Sequence, residues 1–176
     1  NSTPLWTYNC VGGCSVESIA ISADGEYIVI GEYEEYNVYF FDKNSSTPLW
    51  TYRAEYEVRT VAISADGEYI VAGSDDYNVY LFDKDNSTPL WNYTTENDVR
   101  AVAISADGEY IVAGCQDDNM LYFFNKDNST PLWSYDTGSK VRLVAISADG
   151  EYITVGSDDS KVFLFHKNSS TPIWSY

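Results

Sequence analysis

The chain has 176 residues, 44% hydrophobic and 16% aromatic, which is enough apolar material for a packed core and excludes a disordered tail. Lys and Arg number 10 against 27 Asp and Glu, a net charge of −17 that repels phosphate backbones and anionic lipids, so nucleic acid is not expected as a partner. No run approaches the ~18 apolar residues of a membrane-spanning helix, so membrane insertion is not expected either.

The chain opens in mid-motif on Asn-Ser-Thr-Pro without an initiator Met, which points to a processed product or a piece of something longer. Residues 3–8 read as a leading outer strand. After them Ile21-Ser-Ala-Asp-Gly begins a phrase that returns at Ile63, Ile104 and Ile146, with spacings of 42, 41 and 42 residues. A Thr-Pro-Leu/Ile-Trp phrase returns at Trp6, Trp50, Trp91, Trp133 and Trp174. Strand-rich repeats of about forty residues are the period of four-stranded propeller blades.

The second unit serves as template. Val58–Ser64 is a strand of β-branched residues, Ala65–Glu68 a tight turn in which Asp-Gly supplies positive φ, and Tyr69–Ser74 a second strand. Asp75–Asn78 turns the chain into Val79–Lys84, Asp85–Thr88 turns it again, and Pro89–Tyr93 is a fourth strand at an outer edge, where the N–H that Pro lacks is not needed. Tyr69-Ile-Val-Ala and Tyr80-Leu-Phe are apolar at successive positions, so both faces of the sheet are covered, as in a blade held between two others. The fold class is therefore all-β: a propeller of antiparallel four-stranded blades at about 16–52, 58–93, 99–135 and 141–176.

Tyr69-Ile-Val-Ala-Gly-Ser-Asp-Asp-Tyr-Asn-Val-Tyr-Leu-Phe-Asp-Lys84, followed by Thr88-Pro-Leu-Trp91, resembles a repeat of the pyrroloquinoline-quinone (PQQ)-like propellers. Ile63-Ser-Ala-Asp-Gly-Glu-Tyr69 is similar to the Ser-Pro-Asp-Gly turn of WD-repeat and related surface propellers. Ser-Thr-Pro stands where the quinone-type turn has Thr-Gly-Lys. The resemblance implies a ring of seven or eight blades, of which four units would be a part, and looks most like archaeal or bacterial cell-surface propellers. Both families include enzymes, assembly factors and scaffolds, so it does not imply one activity.

The candidate sites follow from the repeat. Arg59, Arg100 and Arg142 form one column on the innermost strands, with Glu17 in the first unit, and are read as inter-blade ion pairs or as a ring facing an axial anion. The acidic pairs Asp75-Asp76, Asp117-Asp118 and Asp158-Asp159, with Glu34-Glu35, are read as solvated hairpins on the rim. The five tryptophans are read as wedges between blades. Cys10 and Cys14 flank Val-Gly-Gly and are candidates for a local disulfide in an exported chain, while Cys115 is left as a buried or idle thiol. His166 replaces Asp42, Asp83 and Asn125 and is read as drift. Asn1, Asn44, Asn86, Asn92, Asn128 and Asn168 each open an N-glycosylation sequon; the alternative is that Asn, Ser and Thr simply make good turns.

No catalytic set, metal site or cofactor site can be assembled from these residues. The reading is a non-enzymatic extracellular or cell-surface scaffold that engages a protein or glycan through rim and loops, or associates with itself. A fragment of a PQQ-type oxidoreductase and a building block of a surface layer or fibre are the alternatives.

Overall fold

The computed structural model describes residues 3–9, 13 and 15–176. It contains only strands and turns among them, arranged as four antiparallel four-stranded sheets in chain order. Blade 1 is β1 (Val16–Ile21), β2 (Tyr27–Glu32), β3 (Asn37–Asp42) and β4 (Trp50–Arg53). Blade 2 is β5 (Val58–Ile63), β6 (Tyr69–Ser74), β7 (Asn78–Asp83) and β8 (Trp91–Thr94). Blade 3 is β9 (Val99–Ile104), β10 (Tyr110–Cys115), β11 (Met120–Asn125) and β12 (Trp133–Asp136). Blade 4 is β13 (Val141–Ile146), β14 (Tyr152–Ser157), β15 (Val162–His166) and β16 (Trp174–Ser175). The expected leading strand at 3–8 does not form. A fourth strand pairs with the third strand of its own blade, and among the described residues no such strand lies beside this segment.

The Ser-Ala-Asp-Gly-Glu phrase folds as it does because two side chains replace missing backbone partners. Ser64 Oγ donates to Asp66 Oδ1 at 2.6 Å, Glu68 N donates to the same oxygen at 3.0 Å, and Tyr69 N donates to Ser64 Oγ at 3.0 Å. The same three bonds close the turns at Ser22, Ser105 and Ser147. Gly67 carries the φ of +75° that this turn requires.

The core lies between blades, in three clusters. The first joins Val29, Val38 and Phe40 of blade 1 to Val58, Val61, Ile70, Tyr80 and Phe82 of blade 2. Equivalent residues build the joints between blades 2 and 3 and between blades 3 and 4. At each joint a glycine of one blade receives a valine of the next: a Cβ on Gly31 would stand 2.9 Å from Val58, one on Gly73 2.6 Å from Val99, and one on Gly114 closer still to Val141. A backbone bond crosses each joint as well, from Ala23 N to Ala65 O, Ala65 N to Ala106 O and Ala106 N to Ala148 O, all at 2.9–3.0 Å. Inner strands pack in the order β1, β5, β9, β13, and blades 1 and 4 each keep one face open.

Candidate interaction face

The β2–β3 hairpin of each blade and the loop leading into the next blade share one end of the array, and the arginine column emerges there. The ladder slips once in each inner pair, between Val16 and Ser18, Val58 and Thr60, Cys115 and Gly114 against Val99 and Ala101, and Val141 and Leu143. The residue expelled by the bulge is Glu17, Arg59, Arg100 or Arg142, so a bulge re-aims each charged side chain out of the pleat. The sequence carried a trace of this: Val58, Val61 and Ile63 are spaced by three and then two, which breaks strict alternation.

Arg59 donates from Nε to Asp75 Oδ2 at 2.8 Å, pairs with the same oxygen through a terminal nitrogen at 2.6 Å, and reaches Glu17 of blade 1 at 3.6 Å. Its guanidinium also lies 4.6 Å over the Tyr33 ring of blade 1. Arg100 reaches back to Asp75 of blade 2 at 3.4 Å and pairs with Asp98 at 2.9 Å. Inter-blade pairing therefore holds for Arg59 and Arg100. Arg142 instead pairs within its own blade, gripping Asp158 with two bonds of 2.6 and 2.7 Å, and Lys140 makes the crossing to Asp117 of blade 3.

The two members of an acidic pair do different work, which the reading of them as solvated turns missed. Asp75 is turned inward among the arginines, and burial pushes its carboxyl above the ordinary value while the Arg59 bond pulls the other way. Asp75 Oδ1 and Arg100 Nε are buried without a hydrogen-bond partner, so this network is incompletely satisfied. Asp76 holds the hairpin: its oxygens accept from Asn78 N at 3.0 Å, Tyr80 Oη at 2.7 Å and Glu55 N at 3.1 Å. Blade 1 uses a different device, a fully buried Glu32 whose carboxylate accepts from Glu34 N at 2.7 Å and Glu35 N at 2.8 Å. Nothing in the sequence distinguished the first Asp of each pair from the second, because only the bulge places a cation beside it.

The tryptophans clamp neighbours together. Trp50, Trp91 and Trp133 donate from Nε1 to the backbone oxygens of Lys84, Lys126 and Lys167 in the following blade, at 2.6–2.8 Å. Trp50 stacks at 5.1 Å on Phe40 of its own blade and lies 5.4 Å from Phe82 of the next. Trp6, though in no strand, makes the same bond to Lys43 O at 2.6 Å and stacks on Phe41. Trp174 ends the row half exposed.

At the opposite end, His166 does what the residues it replaces do. Asp42, Asp83 and Asn125 each accept a backbone N–H two residues on, and His166 Nδ1 accepts Asn168 N at 3.3 Å. Its ring also lies 3.2 Å from Glu151. The sequon residues Asn44, Asn86, Asn128 and Asn168 are exposed in this turn, but in two registers: Asn86 and Asn128 accept from Thr88 N and Thr130 N, whereas Asn44 and Asn168 stand one position earlier. Asn92 is exposed on strand β8. Cys115 is fully buried and its thiol is pushed up to about 12 by burial, which makes it unreactive. Asn1 and the Cys10/Cys14 pair lie outside the described residues. No cluster of three or more metal-ligating side chains occurs among the described residues.

The family model described as outer membrane protein assembly factor BamB, built on PQQ-like repeats, matches residues 3–146 and, in a second register, residues 34–176. No curated protein matches the sequence. Among solved structures, a chain from the mitotic checkpoint complex superposes with a TM-score of 0.81 at 18% identity over 93% of this chain, a likeness of fold alone. This chain spans 53% of that chain's length.

Proposed function

Because this chain belongs to the family described as outer membrane protein assembly factor BamB, we propose that it is a non-enzymatic scaffold of the cell envelope or cell surface. Its hairpin end engages protein partners. The observation that carries this reading is the charge left over there. Arg59, Arg100, Arg142, Lys140 and Lys161 are held by the chain's own carboxylates, Asp117 among them, while Glu34, Glu35, Glu55 and Glu96 remain exposed around them and outnumber the one exposed arginine at this end that has no such partner, Arg53. A rigid row of sheets thus offers an anionic rim, suited to a basic segment of another protein and unsuited to phosphate or anionic lipid.

Fluorescent Lys-rich and Glu-rich peptides titrated against the chain test the proposal. The basic peptide is expected to bind, to weaken as salt rises and to crosslink to the hairpins at residues 34–35 and 117–118. Equal binding of both peptides, or crosslinks confined to the Ser-Ala-Asp-Gly-Glu end, would sink it. A redox-active absorbance on adding quinone and Ca²⁺ would replace the scaffold by an oxidoreductase. Export and sugar load are read by intact mass before and after deglycosylation of chain made in its native host, with Asn44, Asn86, Asn128 and Asn168 as the expected acceptors.

A further inference from the structure

The hairpin end is not the same along the row. The last residue of the turn between the second and third strands of each blade has left-handed backbone, and it is Tyr36 (φ 65°), Tyr77 (φ 72°), Asn119 (φ 61°) or Ser160 (φ 65°). Asn enters that region readily, whereas a bulky aromatic residue is an uncommon and strained occupant of it. The loop into the next blade repeats the contrast, with Tyr56 where the later loops have Asn97 and Ser139. Blades 1 and 2 thus carry aromatic rings at positions that blades 3 and 4 fill with small polar groups.

These rings form a row across an internal joint. Ala54 N donates to Tyr36 O at 2.9 Å, and the Tyr36 ring stacks on Tyr56 with centroids 6.2 Å apart and planes at 27°. Glu55 N donates to Asp76 Oδ2 at 3.1 Å, which ties the loop of Tyr56 to the hairpin of Tyr77 in blade 2. Tyr36 is the half-buried base of the row, while Tyr56 is 55% exposed and Tyr77 43%. Both blades of the joint are present, so this exposure does not arise from the open faces of blades 1 and 4.

We infer that this row seats an arginine side chain from a basic segment of a protein partner, its planar guanidinium lying over Tyr56 and paired with the carboxylates beside it. The inference rests on the reading of the hairpin end as the docking end and narrows it to one joint. The chain uses the same chemistry internally: the Arg59 guanidinium lies 4.6 Å over Tyr33, with Asp75 and Glu17 as its counter-ions. At the row the counter-charges are Glu35 and Glu55, each next in sequence to one of the rings and both exposed. Arg53 leaves the row free, because along β4 it alternates with Tyr52, and Tyr52 is the member that turns to Tyr80 of blade 2. Beside the row a groove opens between β4 and β8, with Tyr52, Asn78, Asn92 and Thr94 in its walls and Glu55 as its only charged lining group. Amides and hydroxyls there suit main-chain groups, so the occupant is an extended segment and not a free cation. A neutral sugar could also lie on a tyrosine ring, but charge complementarity favours the cation.

Two labelled peptides of equal length and charge, one with Arg and one with Lys at every basic position, are titrated against the full chain. The Arg peptide is expected to bind at least about threefold more tightly, the ratio of one stacked guanidinium at an exposed site. Tyr56→Asn with Tyr77→Asn, which gives blades 1 and 2 the side chains that blade 3 already carries, is expected to erase that preference while the melting temperature holds or rises. Equal binding of the two peptides, or a preference that survives the double variant, overturns the inference and leaves the anionic docking end intact; binding of neither peptide sinks both. Displacement of the Arg peptide by maltohexaose would overturn it in favour of a glycan platform. Should the double variant fail to fold, Tyr56→Asn alone decides, since that residue is not in left-handed backbone.

Discussion

Gly114 and Gly156 occupy the same position of adjacent blades, on strands of the same sequence pattern, yet one is closed over by Val141 and the other faces open space. The same contrast separates Val61 from Ile19, which is 65% exposed, and Thr60 from Leu143, which is 73% exposed. Residue type and backbone are nearly constant along the array. What varies is whether a neighbour is present, so the energetic weight of a side chain here is set by its joint and hardly at all by its own blade.

Valine scanning gives the sharpest form of that contrast. Gly114→Val is expected to lower stability by about 3 kcal/mol or more, since the new methyls need space that Val141 fills. Gly156→Val should change it by less than ~0.5 kcal/mol. Thermal melts of the two variants measure the difference, and equal melts would mean that the joints are not where the stability lies. Next in size are the arginines. Arg59 is 18% exposed and bridges two blades, while Arg142 is 51% exposed and pairs within one. Removing the first with Arg59→Met should cost about 2 kcal/mol, because it strands the buried Asp75, and Arg142→Met should cost under ~1 kcal/mol. Denaturant midpoints compare them.

Trp91→Phe and Trp174→Phe isolate one hydrogen bond. The first loses the bond to Lys126 O, worth about 1 kcal/mol, and the second loses nothing shown in this structure. The smallest effect is one of pH. The carboxyls of Asp24 and Asp149 are held below the usual 3.8 by the hydroxyls of Ser22 and Ser147 and by backbone N–H groups. A depressed folded pKa means that this support is full above 3.8 and is lost as pH falls through the folded value, so the Asp-Gly turns should loosen only below about pH 4. Amide hydrogen exchange at Tyr27 and Tyr152 reads the turn directly. Protection relative to the intrinsic exchange rate that is already lower at pH 5 than at neutral pH would contradict the assignment.

Much of this was legible in the sequence because repetition prints the same physical requirement four times. The Asp-Gly turns, the two-faced strands and the tryptophan wedges each follow from residue type and spacing. Residues 3–8 illustrate what was not legible. Thr-Pro-Leu-Trp has every local mark of an outer strand, but a strand is a property of a pair, and the pairing partner is absent from the described neighbourhood. The separate tasks of Asp75 and Asp76 were hidden for a related reason: a bulge at Arg59, on the adjacent strand but 16 residues away in sequence, decides which carboxylate turns inward. The exchange of Asp for His at residue 166 was legible as a substitution but not as conservation of a hydrogen-bond acceptor.

The bond from each indole to a lysine carbonyl of the following blade has a consequence for how such a chain changes over generations. The acceptor is main chain, so the clamp asks of its neighbour a shape and not a particular side chain. A whole unit inserted or deleted in the middle of the row would leave every remaining indole with an acceptor. Length is therefore the trait that unequal exchange between copies of the gene can alter with least damage, and the terminal faces are the places where such an event must still be reconciled with the rest of the molecule.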